Sequence, residues 1–138
     1  MDIDAEFEPL TVYNYEVSAN MDKLVRHVLK VIPNRYAEEF PSFSVFEAKS
    51  PWGAHIERES IEDEGKIYFD PRLLKMAKKV AIGTIAHEFA HLFLGHTGPG
   101  SLQGEYEADD LARQWGFKNE IEAMRKHSGP PTEGHKRI

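Results

Sequence analysis

The stretch that decides the predicted fold is VAIGTIAHEFAHLFL, residues 80–94. Its apolar residues recur every three or four positions, which is the pattern of a helix with one face in a hydrophobic core. His87 and His91 are four residues apart, so they lie about one turn from each other on another face of that helix. Gly95 follows the last apolar residue and is a typical helix terminator. The sequence therefore predicts a core helix that presents two histidines on a second face.

Residues 87–91 form the pattern H-E-x-x-H. Two imidazoles one helical turn apart can bind the same metal ion, with Zn–N distances of about 2.0–2.1 Å. Glu88, between the two histidines, can then act as general base on a metal-activated water. The pattern fixes only three residue types, so it needs structural context. The surrounding helix supplies that context, because a purely structural buried helix has no use for two histidines and a glutamate.

A catalytic zinc site needs a third protein ligand besides the two histidines. Glu105 is the first candidate, because the short glycine-rich connection at residues 98–100 should return the next helix alongside the first. Asp109 lies four residues after Glu105 and therefore on the same face. A carboxylate there can accept the second ring N–H of a ligand histidine and fix its tautomer.

Four other residues are weaker candidates for the third ligand, and the first of them, His96, is rejected. His96 comes five residues after the second histidine, and helical rotation would turn its side chain away from the pair. Glu107 lies two residues beyond the first candidate, on a different helix face. His127 and His135 lie near or within the C-terminal tail. A purely structural explanation exists for the acidic residues of the helix that contains Glu105. Negative side chains at the start of a helix stabilise the positive end of its dipole.

Length, composition and charge indicate an ordinary globular protein with one domain, residues 1–138. The chain is 41% hydrophobic and 29% charged, and it carries a net charge of −6. This balance argues against nucleic-acid or anionic-membrane partners. The absence of cysteine excludes disulfides and thiolate metal sites. The acidic N-terminus lacks the features of a secretory signal, and residues 80–94 are too short to span a bilayer, so a cytoplasmic location is expected.

Alternating apolar and polar residues predict three short strands separated by turns. These lie at residues 43–46, 54–57 and 66–70. The short turns favour a small, mostly antiparallel sheet. His55 alternates outward on the second strand and is predicted to be a surface residue.

Helical patterns flank this sheet, so an α+β fold is predicted. The N-terminal helix carries an apolar stripe between residues 21 and 32, with Ser18 as its N-cap. Ser101 is predicted to cap the helix that contains Glu105, and a last helix covers residues 119–126. Residues 1–9 and 128–138 are predicted to be loosely held.

The two functional segments resemble known metallopeptidases. HEFAHLFLGH at residues 87–96 is similar to the active-site helix of ImmA/IrrE-type peptidases. EYEADDLARQWGF at residues 105–117 resembles the E-x-x-A-D helix of HtpX-like peptidases, and KIYFDPRLL at residues 66–74 resembles the strand and turn before their active helix. The combination of H-E-x-x-H with E-x-x-A-D resembles the gluzincins. The chain departs from the HtpX group in having no predicted transmembrane helix.

The resemblance implies a zincin-like fold and a zinc-dependent endopeptidase. His87, His91 and Glu105 would be the zinc ligands, Glu88 the general base, and Asp109 the carboxylate that orients His87. The partner would be a peptide or protein substrate. The alternative function is a regulatory or non-catalytic zincin-fold protein that binds or cleaves one specific partner.

Two further expectations concern the substrate. The peptide backbone is expected to lie along a sheet edge by strand addition, and the strand at residues 66–70 is the candidate edge. Tyr106 and His127 are candidates, by residue type alone, for stabilising the oxyanion.

Overall fold

The computed structural model describes residues 12–51, 53–58, 64–96 and 100–132, which form one sheet and four α-helices. The strands are β1 (Val12–Glu16), β2 (Phe43–Glu47), β3 (Ala54–Glu57) and β4 (Gly65–Phe69). The helices are α1 (Ala19–Val31), α2 (Lys78–Leu94), α3 (Leu102–Ala112) and α4 (Lys118–Ser128). Two short 3₁₀ helices, Asn34–Glu39 and Pro71–Lys75, precede β2 and α2. The predicted α+β class is confirmed.

The predicted helix boundaries follow from local capping. The Ser18 side chain accepts a hydrogen bond from the Met21 N–H, and the Ser101 side chain accepts one from the Gly104 N–H. Gly95 ends α2 in the left-handed conformation, with φ of 75°. The predicted loose ends at residues 1–9 lie outside the described residues. At the other end, α4 continues to Ser128, and residues 133–138 are outside the description.

The sheet corrects the prediction of a mostly antiparallel arrangement of three strands. Its order is β1-β2-β4-β3, with β1 parallel to β2, β2 parallel to β4, and only β3 antiparallel to its neighbour β4. The sheet is therefore mixed and has four strands. Helix α1 forms the crossover between the parallel strands β1 and β2, as a parallel pair requires.

The prediction failed because short turns suggested hairpins, whereas the β2–β3 connection passes the end of β4. The Ala48 N–H donates to the carbonyl of Phe69. Buried Asp70 accepts the Ser50 N–H at 2.7 Å, and Arg72 donates to the Ser50 carbonyl at 2.6 Å. These contacts hold the connection across the end of β4, so that β3 pairs on the far side.

Strand β4 lies inside the sheet, with β2 on one edge and β3 on the other. Residues 66–70 therefore cannot accept a substrate strand, and the expectation that they form the substrate edge is wrong. Within the described residues, β3 is the outer strand that packs beside α2.

His55 is more buried than predicted. Its side chain is only 14% exposed, its ring stacks on Tyr68 at 4.9 Å between centroids, and its Nδ1 lies 2.8 Å from the Ser50 hydroxyl. The outward strand position was correct, but neighbouring rings cover that face of the sheet. Phe46 stacks on the other side of Tyr68 in the same row.

Helix α2 is the centre of the core. All of its residues from Val80 to Leu92 are buried, including both histidines, so the single apolar face predicted from the sequence is too narrow. Helices α1, α3 and α4 and strands β3 and β4 all pack against it. A helix surrounded in this way is typically apolar on all sides, and its polar residues therefore need partners. None of the helices in the described residues is both long and apolar enough to cross a membrane.

Helix α4 packs very closely on α2 at Gly83. A Cβ atom at this position would lie 2.3 Å from the carbonyl oxygen of Glu120, so only glycine allows the two backbones to approach this far. The segment Arg113–Phe117 connects α3 to α4 and kinks at Gly116, whose φ of 108° is not helical. This kink redirects the chain so that the last helix returns across α2.

Candidate metal centre

The connection between α2 and α3 brings the two histidines to the predicted third ligand. His87 Nε2 and His91 Nε2 are 3.0 Å apart. The Glu105 carboxylate lies 2.6 Å from His91 Nε2 and 3.3 Å from His87 Nε2. All three side chains are buried. Two inward-facing ring nitrogens and one carboxylate therefore converge on a single point between α2 and α3.

Glu88 completes this buried group. One of its carboxylate oxygens lies 3.9 Å from His87 Nε2, and the other, Oε1, is buried without a hydrogen-bond partner among the described residues. Candidate ligand atoms of His87, Glu88 and His91 all lie within 4.8 Å of one another, so these residues can hold a metal ion. An unpartnered buried carboxylate oxygen is unfavourable unless another group, such as a cation, water or substrate, contacts it.

The donor set and its spacing fit a small divalent cation. Bonds of about 2.0–2.1 Å in a tetrahedral zinc site put ligand atoms about 3.3 Å apart. The observed separations are 3.3, 3.0 and 2.6 Å, and the shortest is a hydrogen-bond distance that would have to widen when zinc binds. The charge also fits. With neutral imidazoles, the carboxylates of Glu88, Glu105 and Asp109 exceed the single guanidinium of Arg125 by two negative charges, which one divalent cation would balance.

His87 is backed by a buried, charged pair. Its Nδ1 donates to Asp109 Oδ1 at 2.8 Å, as predicted for the carboxylate that orients this ring. Arg125 of α4 holds Asp109 with two hydrogen bonds, of 2.7 and 2.9 Å, and its guanidinium also lies 3.6 Å from Glu105. Arg125 therefore links α4 to both carboxylates that α3 contributes.

His91 is backed by a different group, and here the predicted direction of one side chain is wrong. His96 was expected to point away from the histidine pair, but its Nδ1 lies 2.7 Å from His91 Nδ1. The helix has already ended at Gly95, so helical rotation does not apply to His96. The other ring nitrogen of His96 lies 3.0 Å from Glu107 Oε1, on the exposed side of α3. His96 thus contacts the outer nitrogen of His91 and is not part of the inward-facing donor set.

Burial and charge shift the pKa values of this cluster strongly. Burial, reinforced by the negative charge of Glu105, raises the pKa of Glu88 to about 8. Burial opposes protonation of His87, but hydrogen bonds to Asp109 and Glu105 outweigh it and raise its pKa to about 9. Protons on these two groups supply the same two positive charges as a divalent cation. Metal binding would therefore displace them.

The pKa values of His91, Glu105 and Asp109 are all lowered. Burial lowers the pKa of His91 to about 4, despite its hydrogen bond to Glu105. Burial alone would raise the pKa values of Glu105 and Asp109, but the histidines, joined by Arg125 at Asp109, hold both below their ordinary values. His91 and both carboxylates of α3 are consequently in the state that binds a cation at neutral pH.

The other sequence candidates lie away from the inward-facing group. Glu107 is exposed on a different face from Glu105, as the helical spacing predicted. Tyr106 is 49% exposed, and His127 is exposed near the end of α4. His135 lies outside the described residues. Exposure alone does not place Tyr106 or His127 at the centre, so both remain candidates for stabilising the oxyanion by residue type only.

The chain matches none of the protein-family models, curated proteins or solved structures with which it was compared. What this centre can do is therefore inferred from the chemistry and geometry of its own residues.

Arg125 and His96 are the residues at this centre whose roles the sequence did not reveal. No periodic spacing relates Arg125 to Asp109, because the kink at Gly116 between them changes the chain direction. For His96 a signal was present: it directly follows a helix-terminating glycine, where the chain reverses and helical rotation no longer predicts side-chain direction.

Proposed function

We propose that this protein is a zinc-dependent peptidase of the gluzincin type. His87 and His91 would hold the metal through Nε2, and Glu105 would hold it through its carboxylate. The observation that carries the proposal is the buried convergence of these three groups beside Glu88, whose Oε1 has no partner among the described residues. The resemblance of residues 66–117 to gluzincin segments supports the same assignment.

Each residue has a distinct part in this proposal. Bound zinc supplies Lewis acidity, which polarises a scissile carbonyl and makes a water molecule more acidic. Glu88 accepts the proton of the attacking water and delivers it to the leaving amide nitrogen. Metal binding would displace the proton that the metal-free centre holds on Glu88, which leaves the carboxylate able to accept a proton from water. Asp109 holds the His87 ring so that its Nε2 faces inward.

The substrate backbone would bind beside β3. This strand packs next to α2, and within the described residues it has a neighbour only on its β4 side. An extended peptide could add to its outer edge through main-chain hydrogen bonds, which would make recognition largely independent of side-chain identity.

Replacing Glu88 with Gln separates metal binding from catalysis. Glu88→Gln should retain about one Zn²⁺ per chain, while hydrolysis of a fluorogenic peptide or casein should fall by about 100-fold or more, since proton transfer contributes about 10²–10⁴-fold to rate. Bound metal is measured after dialysis, and turnover is measured on the same preparations.

The matched controls are His91→Ala and Glu105→Ala, which should lose both metal and turnover. Metal retention by both ligand variants would contradict the proposed site. Wild-type protein that binds Zn²⁺ but cleaves no general substrate would instead favour the alternative, a zincin-fold protein dedicated to one partner.

A further inference from the structure

A continuous chain of hydrogen-bonding groups leads from His91 to the exposed face of α3. His91 Nδ1 lies 2.7 Å from His96 Nδ1, and His96 Nε2 lies 3.0 Å from Glu107 Oε1. Gln103 donates to the other oxygen of Glu107 at 3.1 Å. The outer nitrogen of His91 is thus connected to a carboxylate through the ring of another histidine.

When His91 Nε2 binds a cation and both rings are neutral, only one arrangement of protons satisfies every other contact in this chain. A carboxylate can only accept, so His96 carries its proton on Nε2 and donates it to Glu107. The Nδ1 of a neutral His96 is then an acceptor, and His91 must donate from its own Nδ1. His91 Nε2 is left with a free lone pair. Without a cation, the 2.6 Å contact between His91 Nε2 and Glu105 is a hydrogen bond that places a proton on Nε2, so a bound cation would replace that proton and shift it to Nδ1.

Backbone contacts fix the position of His96 and do not involve its side chain. The His96 N–H donates to the His91 carbonyl at 3.2 Å, and the left-handed Gly95 reverses the chain between them. The ring also lies against Gly104 of α3, where a Cβ atom would be 3.5 Å from two of its atoms. Changes to the ring can therefore test its hydrogen bonds while the backbone turn is retained.

We propose that His96 and Glu107 are positioning residues for His91, fixing its ring and tautomer so that Nε2 is presented to the metal. This inference rests on the proposed function, in which His91 is a ligand. In this proposal His91 is held by the ring of His96, which is held in turn by the Glu107 carboxylate. A ligand histidine more often donates directly to a carboxylate.

The test compares His96→Phe with His96→Asn. Phenylalanine keeps a ring but has no acceptor, whereas the Asn side-chain oxygen can replace His96 Nδ1 as acceptor. Zn²⁺ affinity is measured by competition with a chromogenic chelator. His96→Phe should lose about 10-fold to 100-fold in affinity, the range for losing a partner of a ligand histidine, and His96→Asn should recover most of the loss.

Two further measurements distinguish positioning from a general structural effect. NMR of the zinc-loaded protein should show a slowly exchanging His91 Nδ1–H in wild type and His96→Asn, and rapid exchange in His96→Phe. Glu107→Leu, at an exposed position, should fold normally and lose several-fold in affinity, less than the direct partner. Circular dichroism checks the fold of each variant.

The outcomes separate the two proposals. Wild-type protein without Zn²⁺ affinity overturns the proposed metal site. Normal Zn²⁺ affinity in both His96→Phe and Glu107→Leu overturns only the positioning role. Equal losses in His96→Phe and His96→Asn also overturn that role, because the acceptor would then be irrelevant.

Discussion

The two histidines of α2 have different surroundings although they lie one turn apart on the same helix. His87 is backed by Asp109, which is 1% exposed and held by Arg125. His91 is backed by His96, whose own partner Glu107 is 46% exposed. One support is a buried ion pair, and the other is a second imidazole whose partner lies at the surface. The histidine with the carboxylate has a raised pKa, and the one with the imidazole has a lowered pKa.

This difference indicates that the two pairs behind the histidines contribute differently to folding and to metal binding. Removing one partner of a buried ion pair leaves an uncompensated charge and is strongly destabilising, whereas exposed pairs contribute little to stability. The Asp109–Arg125 pair should therefore serve both folding and the metal centre. The His96–Glu107 pair should affect the metal centre with little effect on folding.

Removing Asp109 should have the largest effect. Asp109→Ala leaves the His87 Nδ1–H without its acceptor and Arg125 without its main partner. We expect Zn²⁺ affinity to fall roughly 100-fold and the free energy of unfolding to fall by about 3 kcal/mol. Metal competition and urea denaturation, the latter in chelator so that zinc does not contribute, measure the two effects separately.

The matched variant on the His91 side is Glu107→Ala. It should weaken metal binding with no resolvable change in the urea midpoint of the chelated protein. Equal loss of stability in Asp109→Ala and Glu107→Ala would show that the contrast between buried and exposed support is wrong.

Replacing Arg125 should have an intermediate effect. Arg125→Met keeps much of the side-chain stem but removes the two hydrogen bonds to Asp109 and the charge near Glu105. Zn²⁺ affinity should fall about tenfold, because the orienting carboxylate remains but is no longer held. The measurement is the same metal competition, repeated at two salt concentrations.

Arg113→Met is the control for this experiment. Arg113 lies between α3 and α4 and forms an exposed ion pair with Asp110. Removing its guanidinium should change Zn²⁺ affinity by less than about twofold. Similar losses in Arg113→Met and Arg125→Met would point to overall charge, and not to the buried contact, as the cause.

The smallest change in Zn²⁺ affinity is expected from Gly83→Ala, which alters the contact between α2 and α4. The added Cβ would meet the backbone of Glu120, so α4 must move and carry Arg125 with it. Overpacking of this kind lowers stability by about 1–3 kcal/mol. Zn²⁺ affinity should fall only a few-fold, and thermal unfolding of the chelated protein should report the larger change.

Gly104→Ala is the comparison on the His91 side. The three atoms nearest to a Cβ there belong to the side chains of Ser101 and His96 and lie at 3.0 Å or more, so its stability loss should be the smaller of the two. A greater loss at Gly104 than at Gly83 would contradict the close backbone contact as the reason for glycine in α2.

Local patterns predicted those features that depend on nearby residues. The Ser18 and Ser101 caps, the Gly95 terminator and the shared face of Glu105 and Asp109 each follow from a few positions in sequence. The sheet topology did not follow, because the Asp70 contacts that carry the chain past the end of β4 join residues far apart in sequence. His96 was misjudged because a rule for helices was applied one residue beyond the end of a helix.

The sequence by itself determined which side chains can bind a cation and that α2 and α3 would offer them on facing surfaces, since helical spacing fixes which residues share a face. Only the tertiary structure decided what lies behind those side chains. Arg125 reaches Asp109 because α4 crosses α2 at Gly83, and His96 reaches His91 because the chain reverses at Gly95. Such contacts depend on how whole helices pack against each other. A pattern of a few neighbouring residues does not specify that packing.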